Sequence, residues 1–290
     1  MRALEPGDVV RLVSPSGPAA PERVARGVEL LESWGLRAEP APHVLDRRGY
    51  FGGTDDARLD DLNAALADPR VRAVICTRGG YGVQRIVDGV RFGEPKPIVG
   101  FSDITALQLA AWRHGRWPSV HGPGGAWLDA RTPAASAESL RRALMTGGPL
   151  TVHGTPAPGG GRAEGVLLGG NLAMLVSTIG TADMPGLDGA VLLLEDVGEA
   201  PYRIDRMLTQ LLRAGALAGV RGIALGQFTE CDGTGSAEDV LAERLGGLGV
   251  PVLAGLPIGH GEGQETVVVG APAVLDAGAG TLVSRVSPVD

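Results

Sequence analysis

A serine stands at a predicted strand-to-helix junction in the segment IVGFSDITALQLAAW, residues 98–112. The apolar run ends at Gly100, Ser102 falls in the turn, and an amphipathic helix is predicted to begin at Asp103. Such a turn lifts the serine hydroxyl beside the free N–H groups and the positive end of the helix dipole. The Oγ of Ser102 could then attack a carbonyl while the N–H of Asp103 receives the developing oxyanion. The same pattern also suits a simple helix N-cap, so both interpretations stay open at this point.

A nucleophilic serine needs a base and a group that orients the base, and the chain has five histidines. His260 lies in LPIGHGEGQE, where the flanking glycines let a ring project freely, although a solvated loop position fits equally. His121 follows a predicted strand and precedes Gly-Pro, so it is a candidate for the wall of a cleft. Glu195 ends the apolar run AVLLLE, where a carboxylate faces either a cleft or a structural salt bridge.

The doublet Gly79-Gly80 interrupts the chain directly after a predicted strand, Val71–Cys76. It matches neither phosphate-binding glycine fingerprint. Bare backbone can approach a reacting carbonyl closely and donate an N–H to it, although a tight strand-to-helix turn explains the pair as well. In parallel sheets ligands bind at the carboxyl ends of the strands, which is where both this turn and Ser102 are predicted to lie.

The order of predicted elements indicates an α/β protein in two parts. Strands alternate with helices in the first half, including helices over residues 54–67 and 83–87, which favours a parallel sheet with helices on both faces. We predict an N-terminal α/β domain over residues 1–146, a Gly/Pro-rich linker over 147–164, and a smaller β-rich α/β domain over 165–290.

Composition limits the partners. The formal net charge of −7 supplies no basic stripe for nucleic acid, and no run of 18 uninterrupted apolar residues predicts a membrane span. The histidines are scattered and the only two cysteines, Cys76 and Cys231, do not form a paired motif, so neither a metal nor another cofactor is expected. With no cleavable leader in MRALEPGDVV, we expect a cytoplasmic protein, and a homodimer is the assembly we consider.

Several ordered sequence blocks resemble the serine carboxypeptidases of the LD-carboxypeptidase family, which includes muramoyltetrapeptide carboxypeptidases and microcin C immunity peptidases. The resemblance extends over nearly the whole chain. Its blocks are SPSGPA (14–19), TRGGYG (77–82), VGFSDIT (99–105), HGP (121–123), GGNL (169–172), LLEDVGEAPYRIDRML (193–208), GQFTEC (226–231) and PIGHG (257–261).

This resemblance implies a triad of Ser102 as nucleophile, His260 as general base and Glu195 as the carboxylate that orients the imidazole. It also implies an oxyanion hole made by the N–H of Asp103 and an N–H of Gly79 or Gly80. The triad would be assembled where the two domains meet. A carboxypeptidase must in addition bind a terminal carboxylate. The candidates for that contact are Arg78 and Arg203, although Arg203 can also pair with Glu199 or Asp205 on its own helix, and His121 is a third candidate for substrate binding.

Three functions are compatible with these residues. The leading hypothesis is an L,D-carboxypeptidase that releases D-Ala from a murein tetrapeptide, a small peptide substrate, during cell-wall recycling. The second is a microcin-type immunity peptidase that cleaves a peptidyl-nucleotide amide, which calls for an aromatic surface in a C-terminal loop. The predicted linker has no aromatic residue, and all four tryptophans (Trp34, Trp112, Trp117, Trp127) lie in the N-terminal half, which favours the first hypothesis. The third, a non-catalytic binding module, does not explain an intact triad.

Overall fold

The structure is a computed structural model that describes residues 2–125 and 133–285. The helices are α1 (Pro21–Ser33), α2 (Asp55–Ala67), α3 (Ile104–Gly115), α4 (Ala134–Met145), α5 (Leu172–Ser177), α6 (Pro201–Arg213) and α7 (Ala237–Gly246). The strands are β1 (Val9–Val13), β2 (Arg37–Pro40), β3 (Val71–Cys76), β4 (Ile98–Gly100), β5 (Ser119–His121), β6 (Pro149–His153), β7 (Arg162–Asn171), β8 (Ala190–Val197), β9 (Gly222–Thr229), β10 (Val252–Leu253), β11 (Val267–Val269), β12 (Pro272–Asp276) and β13 (Thr281–Arg285).

The first sheet has the strand order β11-β5-β4-β3-β1-β2 and is parallel apart from β11, which runs antiparallel to β5. Alternate side chains of β1 face opposite helical layers. Val10 and Leu12 pack with α1 and α4, whereas Val9 and Val13 pack with α2 and α3. Helices on both faces of a mainly parallel sheet confirm the predicted α/β class.

The second sheet has the strand order β10-β9-β8-β7-β12-β13-β6, with β7 to β10 parallel and the remaining pairs antiparallel. One face packs against α5, α6 and α7 through Leu192 and Leu194. The other face, through Val191 and Leu193, packs against Val267 of β11. Because β11 belongs to the first sheet, the two sheets share a continuous apolar layer, and the C-terminal part of the chain contributes to both.

The segment predicted as a linker, residues 147–164, differs from the expectation. Residues 149–153 form β6, an edge strand paired with β13, in which Leu150 and Val152 are buried and the alternate residues are exposed. The start of β7 also lies in this segment. Because glycine and proline dominate its composition, the short alternation of apolar and polar residues that indicates a strand was not recognised. The domain boundaries at 146 and 165 stay a prediction.

A second difference concerns residues 83–87, where a helix was predicted. The chain there makes two 3₁₀ turns, over Val83–Arg85 and Val87–Gly89. Gly82, with φ +132°, precedes the first turn, and the segment is too short to add α-helical hydrogen bonds. None of the helices described here is both long enough and apolar enough to cross a membrane.

Candidate active site

Ser102 lies in a strained turn between β4 and α3. Its φ of +64° is left-handed, a conformation that L-residues other than Asn and Asp rarely adopt and that costs on the order of 1–3 kcal/mol. The helix N-cap is Asp103, and no side-chain hydrogen bond caps the helix. The structure therefore does not support the simple capping role for Ser102. A strained backbone instead holds its side chain at the carboxyl end of the sheet.

The carboxylate of Asp103 holds this turn in place. It is almost fully buried and accepts hydrogen bonds from Ser16 Oγ at 2.6 Å and from the N–H of Val83 at 2.9 Å. These partners follow β1 and β3, so three loops are joined at one carboxylate. The N–H of Asp103 forms no backbone hydrogen bond within the described chain and remains available to a ligand. Sequence reasoning did not identify Ser16, although it lies in the SPSGPA block.

Gly79 lies directly against Ser102. A Cβ built at position 79 would stand 2.6 Å from the Cβ and 2.9 Å from the Oγ of Ser102. Its carbonyl accepts hydrogen bonds from the N–H of Gly17 at 3.3 Å and from Nε of Arg78 at 3.1 Å. Gly80 packs instead against Gly17, with a left-handed φ of +129°. Of the two glycines, Gly79 makes the close approach to the serine.

Glu195 of β8 and His260, in the loop after β10, form a hydrogen-bonded pair at the edge of the second sheet. Oε2 of Glu195, on β8, lies 2.7 Å from Nδ1 of His260, and the carboxylate is fully buried. Gly226 and Gly259 make room for it, since a Cβ at either position would come within 3.1 Å of Glu195 side-chain atoms. A carboxylate can only accept, so Nδ1 carries the proton and Nε2 is left to act as a base.

Gln227 fixes the loop that carries His260. Its Oε1 accepts from the N–H of Gly261 at 2.8 Å, its Nε2 donates to the carbonyl of Glu262 at 3.0 Å, and its own N–H donates to the carbonyl of Ile258 at 2.8 Å. The loop is therefore bonded on both sides of His260. One sequence signal points to this role, the position of Gln227 in the GQFTEC block.

Asp196, next to Glu195, joins β8 to the start of α5. It accepts from Asn171 Nδ2 at 2.9 Å and from the backbone N–H groups of Ala173 at 3.0 Å and Val197 at 2.8 Å. Burial nevertheless dominates and raises the pKa of the Asp196 carboxyl to about 6. Sequence reasoning did not single out this residue.

A cleft of about 720 Å³ brings the predicted residues together. Ser102, Gly79, Gly80, Arg78 and His260 all line it. Ser102 follows β4 of the first sheet and His260 lies in the loop after β10 of the second, so the cleft forms where the two sheets meet. The described residues include no group of three or more His, Cys, Asp or Glu side chains placed to hold a metal ion.

Two predicted substrate-binding residues lie elsewhere. Arg203 is not among the residues that line the cleft. It pairs at 3.5 Å with Glu199, which precedes α6, and donates to Tyr202 Oη at 3.1 Å, so of the two alternative partners Glu199 is the one found. His121 is fully buried and does not line the cleft either. Its backbone is in the middle of a sheet, between β4 and β11, which directs the ring into the protein interior. Trp127 lies outside the described residues.

Comparison with known proteins settles the family. The family model of the LD-carboxypeptidase N-terminal domain matches residues 10–122, and that of the C-terminal domain matches residues 164–275. A relative from Streptomyces coelicolor is 49% identical, with 96% of this chain and 94% of the relative covered. The chain belongs to the LD-carboxypeptidase family. It is therefore a serine-type carboxypeptidase, as its sequence blocks predicted.

Two further LD-carboxypeptidase relatives have names that state a substrate. The murein tetrapeptide carboxypeptidase of Pseudomonas aeruginosa is 35% identical, with 92% of each chain covered. The crystal structure of muramoyltetrapeptide carboxypeptidase from Oxalobacter formigenes superposes with a TM-score of 0.86 at 29% identity, covering 97% of this chain and all of that one. The microcin C7 self-immunity protein MccF shares the fold, with a TM-score of 0.86 over 98% of this chain and 97% of its own, at 23% identity.

Proposed function

We propose that this enzyme is an L,D-carboxypeptidase that removes the C-terminal D-alanine of a murein tetrapeptide. The observation that carries the proposal is that Ser102 and His260 line one cleft, while Glu195 holds the Nδ1 side of the histidine at 2.7 Å. This is the arrangement of nucleophile, base and orienting carboxylate that acyl transfer through a serine requires. The relatives named for murein peptides support the choice of substrate.

In the proposed reaction, Oγ of Ser102 attacks the carbonyl that precedes the terminal D-residue. Nε2 of His260 takes the serine proton, and buried Glu195 stabilises the imidazolium that forms. The N–H groups of Asp103 and Gly79 donate to the oxyanion. His260 then gives its proton to the leaving amine, which releases D-alanine and leaves an acyl-enzyme. Water attacks this ester with His260 again acting as base, and the shortened peptide departs.

Three arginines suit an acidic peptide. Arg23, Arg47 and Arg78 line the cleft; among the described residues none of the three forms an ion pair, and Glu22 is the only carboxylate in the lining. Guanidinium groups concentrated in one cleft of a chain with net charge −7 indicate an anionic ligand. Arg78 follows β3, the neighbour of the strand that leads to Ser102, and its Nε is already bonded to Gly79. Its terminal nitrogens are therefore our candidate for the substrate's terminal carboxylate.

We further propose where the enzyme acts and how many copies of the chain assemble. We place the reaction in the cytoplasm, in the recycling of cell-wall peptides, and both cysteines are buried free thiols, as is usual in a reducing compartment. We also propose a homodimer, which light scattering coupled to size-exclusion chromatography measures directly.

A microcin-type immunity peptidase is the second candidate, because MccF has the same fold. Its nucleotide-like leaving group calls for an aromatic surface to stack on. Trp34, Trp112 and Trp117, the tryptophans that the structure describes, do not line the cleft, and Phe101 is the only aromatic ring besides His260 that does so among the described residues. A peptide substrate fits this lining better.

Release of D-alanine is the measurement that tests the function. Purified enzyme is incubated with murein tetrapeptide, and free D-alanine and tripeptide are measured by mass spectrometry, with Ser102→Ala as the inactive control. Aspartyl sulfamoyl adenosine is offered in parallel. Tripeptide formed by the wild type alone supports the proposal, whereas cleavage confined to the adenosine compound would replace it with the second candidate. Turnover of neither compound would contradict both candidate substrates.

A further inference from the structure

His121 lies in the interior between the two sheets, next to the proposed triad. Its backbone is paired with Gly100 of β4 and Val267 of β11, and its side chain is fully buried. The imidazole reaches the second sheet, because a Cβ built at Gly170 of β7 would stand 3.1 Å from its Cε1. In the register of that sheet, Asn171, which follows Gly170, is opposite Glu195 of β8. The ring therefore lies beside the strand end that carries the triad carboxylate.

Three polar atoms of His121 and Glu195, two fully buried residues, have no hydrogen-bond partner among the described residues. They are Nδ1 and Nε2 of His121 and Oε1 of Glu195, whereas Oε2 of Glu195 is bonded to His260. Buried polar groups in folded proteins nearly always find a partner, either a protein atom or an ordered water. A neutral imidazole has one N–H to donate, and a carboxylate oxygen can only accept. The unpartnered atoms are thus of complementary type.

We propose that His121 is a positioning residue for Glu195. Its ring N–H donates to Oε1 of Glu195 through one bound water, and this bridge fixes the carboxylate so that Oε2 faces His260. The inference rests on the proposed function, in which Glu195 orients the catalytic base. It gives a role to a buried residue that does not line the cleft.

A neutral donor is what this position requires. Burial lowers the pKa of His121 to about 4, with Glu195 opposing that effect and His260 adding to it. Among the described residues, these two are the charged or titratable groups that act on the ring. His121 is therefore uncharged at neutral pH and can donate to Glu195 without competing with His260 as a cation. The ring of Phe101 lies against both histidines, with centroids 6.3 Å from His121 and 4.7 Å from His260.

The test compares His121→Gln, which keeps a donor, with His121→Leu, which keeps only bulk. His153→Gln, at an exposed position on β6, is the matched control. Steady-state kinetics of D-alanine release, the pH profile of kcat/KM and the melting temperature are measured for each. We expect His121→Leu to lower kcat at least tenfold with KM within twofold, and His121→Gln to recover most of that loss. Without the donor, the negative charge of Glu195 is less dispersed and stabilises protonated His260 more strongly. The acid limb of the kcat/KM profile should therefore shift to higher pH in His121→Leu and not in His121→Gln.

A role limited to packing predicts a different pattern. Leucine would then be as active as glutamine, activity would follow melting temperature, and the pH profile would not move; this result would overturn the proposal. If His121→Leu fails to fold, ¹⁵N-histidine NMR of the folded wild type and of folded Glu195→Gln tests the contact instead. The His121 N–H resonance is expected to shift in Glu195→Gln, and an unchanged resonance would exclude the contact. Full activity of Ser102→Ala would instead contradict the proposed function and leave this contact untouched.

Discussion

Gly79 and Ser102 are in such close contact that no side chain fits between them. A Cβ at position 79 would lie 2.6 Å from the Cβ of Ser102 and 2.9 Å from its Oγ. Gly79 follows β3 and Ser102 follows β4, so the neighbouring positions of these strands in the sheet create the contact. The N–H groups of Gly79 and Asp103 are the donors that we propose for the oxyanion.

Substituting Gly79 is expected to inactivate the enzyme through this contact. Gly79→Ala must push Ser102 or its own N–H out of position, and loss of one oxyanion donor lowers kcat by roughly 10²–10³-fold. Gly148→Ala, where an added Cβ meets no atom within 4 Å, is the control and should retain wild-type kcat. A Gly79→Ala variant with near-normal kcat would show that the turn is not part of the oxyanion hole.

Ser102→Ala is expected to fold and to lose activity by on the order of 10⁴-fold or more, since triad members act as a unit. Ser102→Gly should be equally inactive but more stable than Ser102→Ala by up to about 1 kcal/mol, because glycine relieves the left-handed φ of +64°. Kinetics and chemical denaturation check the two parts separately. Activity of either variant within about tenfold of wild type, some 1.4 kcal/mol of barrier, would exclude Ser102 as the nucleophile.

Arg78 is expected to select substrates with a free terminal carboxylate. Loss of a charge-assisted hydrogen bond costs about 1.5–3 kcal/mol, so Arg78→Met should raise KM roughly 10–100-fold for the free tetrapeptide. The wild type should discriminate strongly against the C-terminal amide of the same peptide, and Arg78→Met should lose this preference. Arg213→Met, an exposed residue on α6, serves as the control. A variant that still discriminates would place the carboxylate site elsewhere.

Chelation of metals is expected to leave the activity unchanged, because each proposed step uses a serine hydroxyl, an imidazole and backbone N–H groups. The rate of D-alanine release is compared before and after dialysis against EDTA. Loss of activity that added zinc restores would contradict the serine mechanism.

Asp196 is expected to make stability depend on pH below neutrality. Its folded-state pKa of about 6 lies above the unfolded value of about 3.9, so the folded state binds this proton more tightly. Stability from this group is present below about pH 4 and is lost as the pH rises toward 6, by about 2–3 kcal/mol. Asp196→Asn lowers stability at every pH because it loses an acceptor, but its unfolding free energy should fall less between pH 4 and 7. If the unfolding free energies of the wild type and of Asp196→Asn changed with pH in parallel, the raised pKa of Asp196 would be contradicted.

Local sequence pattern determined the elements that carry the site. The apolar run from Val71 to Cys76 is a strand with those same bounds, and the helix introduced by Thr54 begins at the next residue, with the Thr54 side chain as its cap. Glu195 was recognised because it ends an apolar run, and Ser102 because it separates a strand from a helix. These signals are readable because periodicity and capping depend on residues a few positions apart.

Tertiary structure alone decided which of these residues meet. Glu195 and His260 are 65 positions apart, and only the order of β8, β9 and β10 and the loop beyond them brings the two side chains to 2.7 Å. His121 and Arg203 were both predicted to bind substrate, yet His121 is buried between the sheets and Arg203 pairs with Glu199, just before its own helix. The surroundings of a side chain at a strand end depend on which sheet packs against that strand. This packing is made by contacts between segments that are distant in the chain, and a local sequence pattern does not encode such contacts.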